Sequence, residues 1–527
     1  MMQKNTLKLT LGVMLFALGA LNSTSYASGT PSAADYAYHV QPGDNLSKLT
    51  RDVLESHTGW DKVAKYNKLP NAHLLYPGEV LHIPYAWLKN SPAAAHIETL
   101  TGDVKLNGNP ARVGDAVSSN AVLETQAGGG ARMRLPDGST LNVLESTHIE
   151  AKEITRKKKG DFFNTVFKLV AGRIDAVKNA FPAERSPLLI QGMHGTIGVR
   201  GTHFRMAQDG DNTLAEIEHG KVGFAVGEQA VALSGGEGSV ADGVKPAAVI
   251  PLLSAPVVMN LPGQFENILV RVDLQEMQGA QAFRGEVARE EDFANILAQN
   301  TYQGTQVRIA NLADGTYWLR VRAIDAHGLQ GMESRTRFVL KAHPVAPLLM
   351  GTNDVELAHG IQPDFSWAEV DEAQSYRFQI ARDQEFKDLA LKQDNIKATR
   401  FSFAPGQNLQ IGQYYWRVAS VKGEADQGPW SEVRKLRVLP DSATAPALKP
   451  GRMIASWQDD ATRKFEFQMA GSKDFSDIKL NLTLNEPKID IEMPAVGKYF
   501  FRIRTVDADG YIGPWTPTQS FVSPARK

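Results

Sequence analysis

Few side chains in this 527-residue chain stand at spacings that could make or break covalent bonds. Cysteine is absent, which removes thiolate metal ligands, cysteine nucleophiles and disulfides together. There is no glycine-flanked nucleophilic serine, no histidine-rich zinc string and no helical domain presenting a catalytic glutamate. His194 and His203 lie close in sequence, but no Asp/Glu pair stands near them, so outward-facing strand histidines are expected rather than metal ligands. Gly192, Gly195, Gly198 and Gly201 recur every third residue, yet no strand-loop-helix context with a lysine follows. Tight β turns are expected there, not a phosphate cradle. The basic run Arg156-Lys157-Lys158-Lys159 is flanked by Glu153 and Asp161 and reads as a solvated loop. The chemistry left is non-covalent recognition, with no cofactor and no metal.

The elements that would position a recognition site are clearest between residues 36 and 85. A short strand, Tyr38-His39-Val40, turns at Pro42-Gly43-Asp44 into a helical pattern with Leu46, Leu49, Val53 and Leu54 on one face. Trp60, Val63, Ala64 and Tyr66 predict a second helix ending near Asn67. Val80-Leu81-His82-Ile83 predicts a strand stopped by Pro84. Strand, helix, helix, strand in about 50 residues leaves little core and suits a small binding module.

The strings Tyr38-His39-Val40-Gln41-Pro42-Gly43-Asp44-Asn45-Leu46 and Leu75-Tyr76-Pro77-Gly78-Glu79-Val80-Leu81-His82-Ile83-Pro84, with Asn67 between them, resemble the LysM family over nearly its whole length. That family binds N-acetylglucosamine-containing glycans in a shallow groove between the first strand-helix loop and the loop after the second helix. The resemblance therefore implies a glycan site in which Gly43, Asp44, Asn45 and Leu46 face Leu74, Leu75, Tyr76 and Pro77, with peptidoglycan as the partner. Backbone amides and a carboxamide would pair with the N-acetyl group, and Leu75 and Tyr76 would floor its methyl. Asn45 stands where the family usually has threonine, and the stretch Glu55 to Gly59 is slightly long.

From 96 to 244 short alternating runs are separated by glycine turns, as in Ala131-Arg132-Met133-Arg134-Leu135 before Pro136-Asp137-Gly138. This predicts an all-β domain, solenoid- or sandwich-like. Gly102-Asp103-Val104, Val113-Gly114-Asp115-Ala116-Val117, Leu135-Pro136-Asp137-Gly138-Ser139, Gly198-Val199-Arg200-Gly201-Thr202-His203-Phe204 and His219-Gly220-Lys221-Val222 resemble landmarks of the FecR family of periplasmic sensor-regulators. Members that regulate iron uptake carry a cytoplasmic anti-sigma segment and a membrane helix ahead of this domain. Here a signal segment and the LysM-like module stand in that place.

Beyond it an internal repeat of roughly 90 residues recurs three times, at 255–341, 345–440 and 446–523, the length of a small β-sandwich. Phe283–Ala288, Tyr376–Ala381 and Phe465–Ala470 align. Asp292-Phe293, Glu385-Phe386 and Asp474-Phe475 follow them, and then Gly315–Val321, Gly412–Val418 and Gly497–Ile503. Joints bearing proline lie at 344–347 and 446–450. The units resemble fibronectin type III or related immunoglobulin-like sandwiches. Gly428-Pro429-Trp430-Ser431 recurs as Gly513-Pro514-Trp515-Thr516, and a Trp under a nearby strand arginine would explain the pairing. The first repeat lacks that Trp, carrying Gly331-Met332, and has Val272 where the others have Trp367 and Trp457. These aromatics are expected in cores rather than as a glycan platform.

The whole is expected to be a multidomain, mainly β chain. Its formal charge of −1 offers phosphate backbones no excess of positive charge, so nucleic acid is not an expected partner. Lys4 and Lys8, the apolar run Leu9 to Leu21 and Ser25-Tyr26-Ala27 read as a cleavable signal over residues 1–27. No later segment is apolar enough to span a bilayer. Export to the periplasm, cell wall or outer membrane follows as the expectation. The leading functional expectation is a non-catalytic envelope protein that binds peptidoglycan and offers β domains to an unidentified envelope protein. A FecR-type sensor-regulator is the alternative, and a cell-wall hydrolase accessory or enzyme a weaker one.

Overall fold

The structure, a computed structural model, describes residues 35–179, 186–244, 248–351, 354–358, 362–424, 426–439, 452–457, 459 and 463–523. The expected signal segment and the joint at 446–450 lie outside the described residues. The chain forms two compact units. The first runs to Met259 and takes in Asp273–Val307 and Trp318–Arg337; the second comprises Asn260–Val272, Arg308–Tyr317 and Phe338 onward. Strands dominate, and the two α-helices among the described residues both lie near the start.

Those helices belong to a strand-helix-helix-strand module at the beginning of the first unit. Strand β1 (Asp35–His39) pairs antiparallel with β2 (Val80–Pro84), matching Tyr38 to Leu81. Helices α1 (Leu46–Val53) and α2 (Trp60–Tyr66) cover one face of this ribbon. The spacing of Leu46, Leu49 and Val53 turns all three inward, where they meet Val40, Leu54, Val63, Leu81, Ile83 and Leu88. Each such buried aliphatic side chain contributes about 1.5–3 kcal/mol, a small total for so short a module.

Further support comes from the β domain that follows. Asn90–Pro92 pairs with the end of a long strand, β3 (His148–Lys157). Tyr85 stacks on Phe162, and Lys157 Nζ donates to Leu88 O at 3.0 Å. The basic run is thus not the solvated loop expected. Arg156, Lys158 and Lys159 are exposed, but Lys157 is half-buried, and that burial lowers its pKa despite Glu55 and Glu153 nearby.

The rest of the β domain is one extended sheet system. β4 (Phe163–Val177) pairs with β3, and antiparallel with β5 (Thr196–Asp209). β5 in turn pairs with β6 (Asn212–Val226). Alternation sends Phe167, Leu169, Ile174, Phe204, Met206, Ile217 and Phe224 into a single core. The glycine series divides between two settings. Gly192 and Gly195 close a turn through a 2.7 Å backbone bond, whereas Gly198 and Gly201 lie inside β5, with Gly201 at φ +56 beside a register shift.

Three sandwich repeats follow. Their matched central strands are β7 (Ala282–Ala288) with β8 (Gly315–Ile324), β9 (Ser375–Ala381) with β10 (Gly412–Lys422), and β11 (Lys464–Ala470) with β12 (Gly497–Val506). Each pair is antiparallel, and each inner strand carries a register shift before its last alanine, Ala288, Ala381 or Ala470. The phenylalanine of each acid–phenylalanine pair sits at positive φ: Phe293 at 52°, Phe386 at 59° and Phe475 at 58°. A bulky residue reaches this region only under strong local constraint. Here a strand arginine lies on each ring, Arg320 at 4.3 Å, Arg417 at 3.9 Å and Arg502 at 4.0 Å from the centroid. Within the second unit the last two repeats share sheets. Leu349–Met350 pairs with both Phe365–Trp367 and Arg452–Ser456, and Glu369–Val370 pairs with Gln519–Ser523.

Candidate functional site

At one end of the β1–β2 ribbon two loops are tied together by the backbone. Val40 N donates to Glu79 O and Gly78 N to Val40 O, both at 2.9 Å. This brings the turn after β1, carrying Gly43, Asp44, Asn45 and Leu46, beside the loop carrying Leu74, Leu75, Tyr76 and Pro77. Gly43 adopts φ +85 with open space where a Cβ would be, so backbone conformation alone demands glycine there.

The eight residues divide by role. Asn45 caps α1, its Oδ1 accepting from Lys48 N at 2.8 Å, while Leu46 is buried under the helix. Asp44 is held inside its own turn. Its Oδ2 accepts from Tyr38 Oη at 2.6 Å and from Gln41 N at 2.9 Å, and Lys48 lies 3.6 Å away. The Tyr38 hydroxyl bond, then the Gln41 amide, lower the Asp44 pKa. Burial and that same bond push the Tyr38 hydroxyl up to about 12. Opposite, Leu75 packs on the module's core, whereas Leu74 is 49% exposed and Tyr76 is 63% exposed. Glu79 Oε2 accepts from Tyr76 N at 3.2 Å. The turn is thus held by its own hydrogen bonds, and the loop tied beside it leaves Leu74 and Tyr76 exposed.

Three residues named from the sequence take contacts that the sequence did not show. Tyr38 clamps Asp44 from six positions away in the chain. The Asn67 carboxamide does not face the groove: it joins α2 to β2, accepting from His82 N at 2.6 Å and donating to His82 O at 2.8 Å and Val63 O at 3.0 Å. Trp60 lies against His73 with ring centroids 5.6 Å apart.

Elsewhere the first unit buries a large ionic cluster. Arg205 Nε donates to Glu216 Oε2 at 2.7 Å, and its Nη2 donates to the Gln330 and Gly331 carbonyls at 2.8 Å each; it also pairs with Glu218. Arg322 contacts Glu286 at 3.1 Å, Asp175 at 3.4 Å and Glu333 at 2.5 Å, and Arg320 donates to Glu286 at 2.7 Å. Burial raises the Asp175 carboxyl, but His203 and the two arginines overcome it and hold the group well below the carboxylate range. Burial likewise opposes the arginines at Glu286, which ends at about 2. His203 therefore does not face outward as expected: its Nε2 lies 2.7 Å from Asp175 Oδ1. The cluster ties the FecR region to the first sandwich repeat through buried ion pairs. Among the described residues no group of three or more His, Asp or Glu gathers to hold a metal.

Comparison with known proteins finds two families in the chain. Residues 38–84 match the LysM domain and residues 121–223 match the FecR protein family. An uncharacterized protein of Deinococcus radiodurans is 40% identical over 50 residues, which is 10% of this chain and 20% of that protein. A crystal structure of a Parabacteroides distasonis protein assigned as an anti-sigma factor aligns at 16% identity over 25% of this chain and 59% of its own, with a TM-score of 0.21. The fibronectin(III)-like modules of Clostridium thermocellum CbhA align at 12% identity over 37% of this chain and 99% of their own, with a TM-score of 0.16. This chain thus spans a fifth of its curated relative and less than two thirds of the anti-sigma structure. Among the described residues no helix is long and apolar enough to cross a membrane. LysM and FecR are non-catalytic binding or regulatory domains typical of envelope proteins, and LysM supports binding to peptidoglycan glycan. The chain carries a LysM domain at 38–84 and a FecR domain at 121–223, followed by β-sandwich repeats.

Proposed function

We propose that this is an exported, non-catalytic envelope protein that grips peptidoglycan through the groove between Gly43–Leu46 and Leu74–Pro77. The observation that carries the reading is the pairing of a fixed turn with exposed Leu74 and Tyr76 across the Val40–Gly78 bond. Backbone groups of the turn serve the acetamide, and Tyr76 and Leu75 serve the methyl and the sugar face. Asp44 acts by holding the turn, through Tyr38 and Gln41. A single module binds weakly, and the repeating polymer compensates through rebinding. Residues 1–27 direct export in this reading, and the FecR domain and the sandwiches present faces to an envelope protein.

Co-sedimentation of the full chain with purified sacculi tests the reading. Tyr76→Ala should leave most of the protein in the supernatant at concentrations where the wild type pellets. Equal pelleting of both would discard the groove. The FecR domain keeps a second reading open, an envelope sensor-regulator. Deleting that domain alters transcription under the regulator reading and only envelope integrity under the anchoring one.

A further inference from the structure

We propose that Trp60 and His73 form an aromatic subsite that lengthens the LysM groove, so that the domain favours longer amino-sugar chains over short ones. This rests on the groove reading above. Trp60 opens α2, and its neighbours Val63 and Ala64 face the core, yet Trp60 itself is 40% exposed. Its indole meets the His73 imidazole at 5.6 Å and 47°. His73 is set by its own loop: its N–H donates to Asn71 Oδ1 at 2.9 Å, and Leu74 N donates to Asn71 O at 3.3 Å. It directly precedes Leu74, and Tyr76 follows two residues later. The ring contact and the exposed loop from His73 to Tyr76 thus link the indole to the residues of the groove wall.

A pyranose presents an apolar C–H face flanked by hydroxyls, and a half-exposed indole covers such a face without competing for its polar edge. An oligosaccharide seated by its N-acetyl group between the two loops gains this contact only when further rings extend past Leu74. Indole burial therefore rewards chain length rather than the first sugar.

The test is calorimetric titration of the full chain with N-acetylglucosamine oligomers from dimer to hexamer. Wild-type affinity should rise with length. Trp60→Ala should remove most of that rise, roughly 10-fold on the hexamer, while leaving the dimer unchanged. Trp60→Phe, which keeps an aromatic face and controls for folding, should retain part of the gain. If Trp60→Ala weakens dimer and hexamer by the same factor, the indole merely clamps the 71–77 loop and the subsite is wrong. Wild-type affinity that is flat with length overturns the subsite alone. Wild type that ignores every oligomer overturns the groove and the subsite together.

Discussion

The first sandwich repeat and its two successors build the same clasp and use it oppositely. In all three a strand arginine lies on a phenylalanine ring at positive φ, and an acceptor at the matched position of the inner strand holds its Nε. The acceptor is Gln379 for Arg417 and Gln468 for Arg502, both at 3.0 Å, but Glu286 for Arg320 at 2.7 Å. The later repeats cover the arginine with an indole, Trp430 at 4.2 Å and Trp515 at 4.5 Å. Repeat one puts Glu333 at that position, and Glu333 turns to Arg322. With Glu286 and Glu333 in place of Gln and Trp, and Arg322 where the second repeat has Ala419, this face becomes a buried ionic seat for Asp175 of the FecR region, while the Gln330 and Gly331 backbone holds Arg205 and Glu216. The scaffold stayed, and the chemistry of one face was exchanged to join domains.

The difference predicts unequal fragility. Arg322→Met removes one of the two buried cations that Asp175, Glu286 and Glu333 share, leaving Arg320 alone against three carboxylates, so it should destabilise the first unit by about 3–5 kcal/mol. Faster hydrogen exchange in Trp318–Ile324 would report it, and a loss under 1 kcal/mol would break the comparison. Acid should act next. The folded-state pKa values of Asp175, Glu216, Glu286 and Glu333 are all lowered. A depressed carboxylate stabilises the fold above its unfolded pKa and loses that contribution as pH falls through the folded one. Protection of the first unit should therefore decline from about pH 4.5 toward pH 2, while Gly412–Lys422 changes less. A smaller effect is expected for Arg502→Met, which removes contacts with Phe475 and Trp515 and should cost about 1–2 kcal/mol in the last repeat alone.

Much of this was legible in the chain because local rules carry it. Leu46, Leu49 and Val53 announce a helix by spacing, and the aligned Phe293, Phe386 and Phe475 announce a repeat. The Trp–arginine stacks expected for repeats two and three are present. What stayed hidden depends on long-range pairing. Asp44 reads as a groove carboxylate until Tyr38 is seen to occupy it. Lys157 reads as solvated until Tyr85 and Leu88 reach its hairpin. The missing Trp of repeat one has no explanation until Glu333, at the matched position, is found among arginines. Nor does any local signal show Leu349–Met350 joining two repeats in one sheet.

The sharpest test of the comparison uses the same one-atom exchange in opposite directions, and its second half has the smallest expected effect. Glu286→Gln removes a charge that Arg320 and Arg322 both require, in a setting without water to replace it, and should cost about 3 kcal/mol. Gln468→Glu installs the first repeat's residue opposite Arg502, which water already reaches. There the added charge strengthens the bond to the guanidinium, but solvent and salt screen it, so a gain of only about 0.5 kcal/mol is expected, fading at high salt. Denaturant unfolding of both variants decides the matter. If the two exchanges shift stability by similar magnitudes, burial does not separate the faces, and the contrast between seat and stack reduces to side-chain identity.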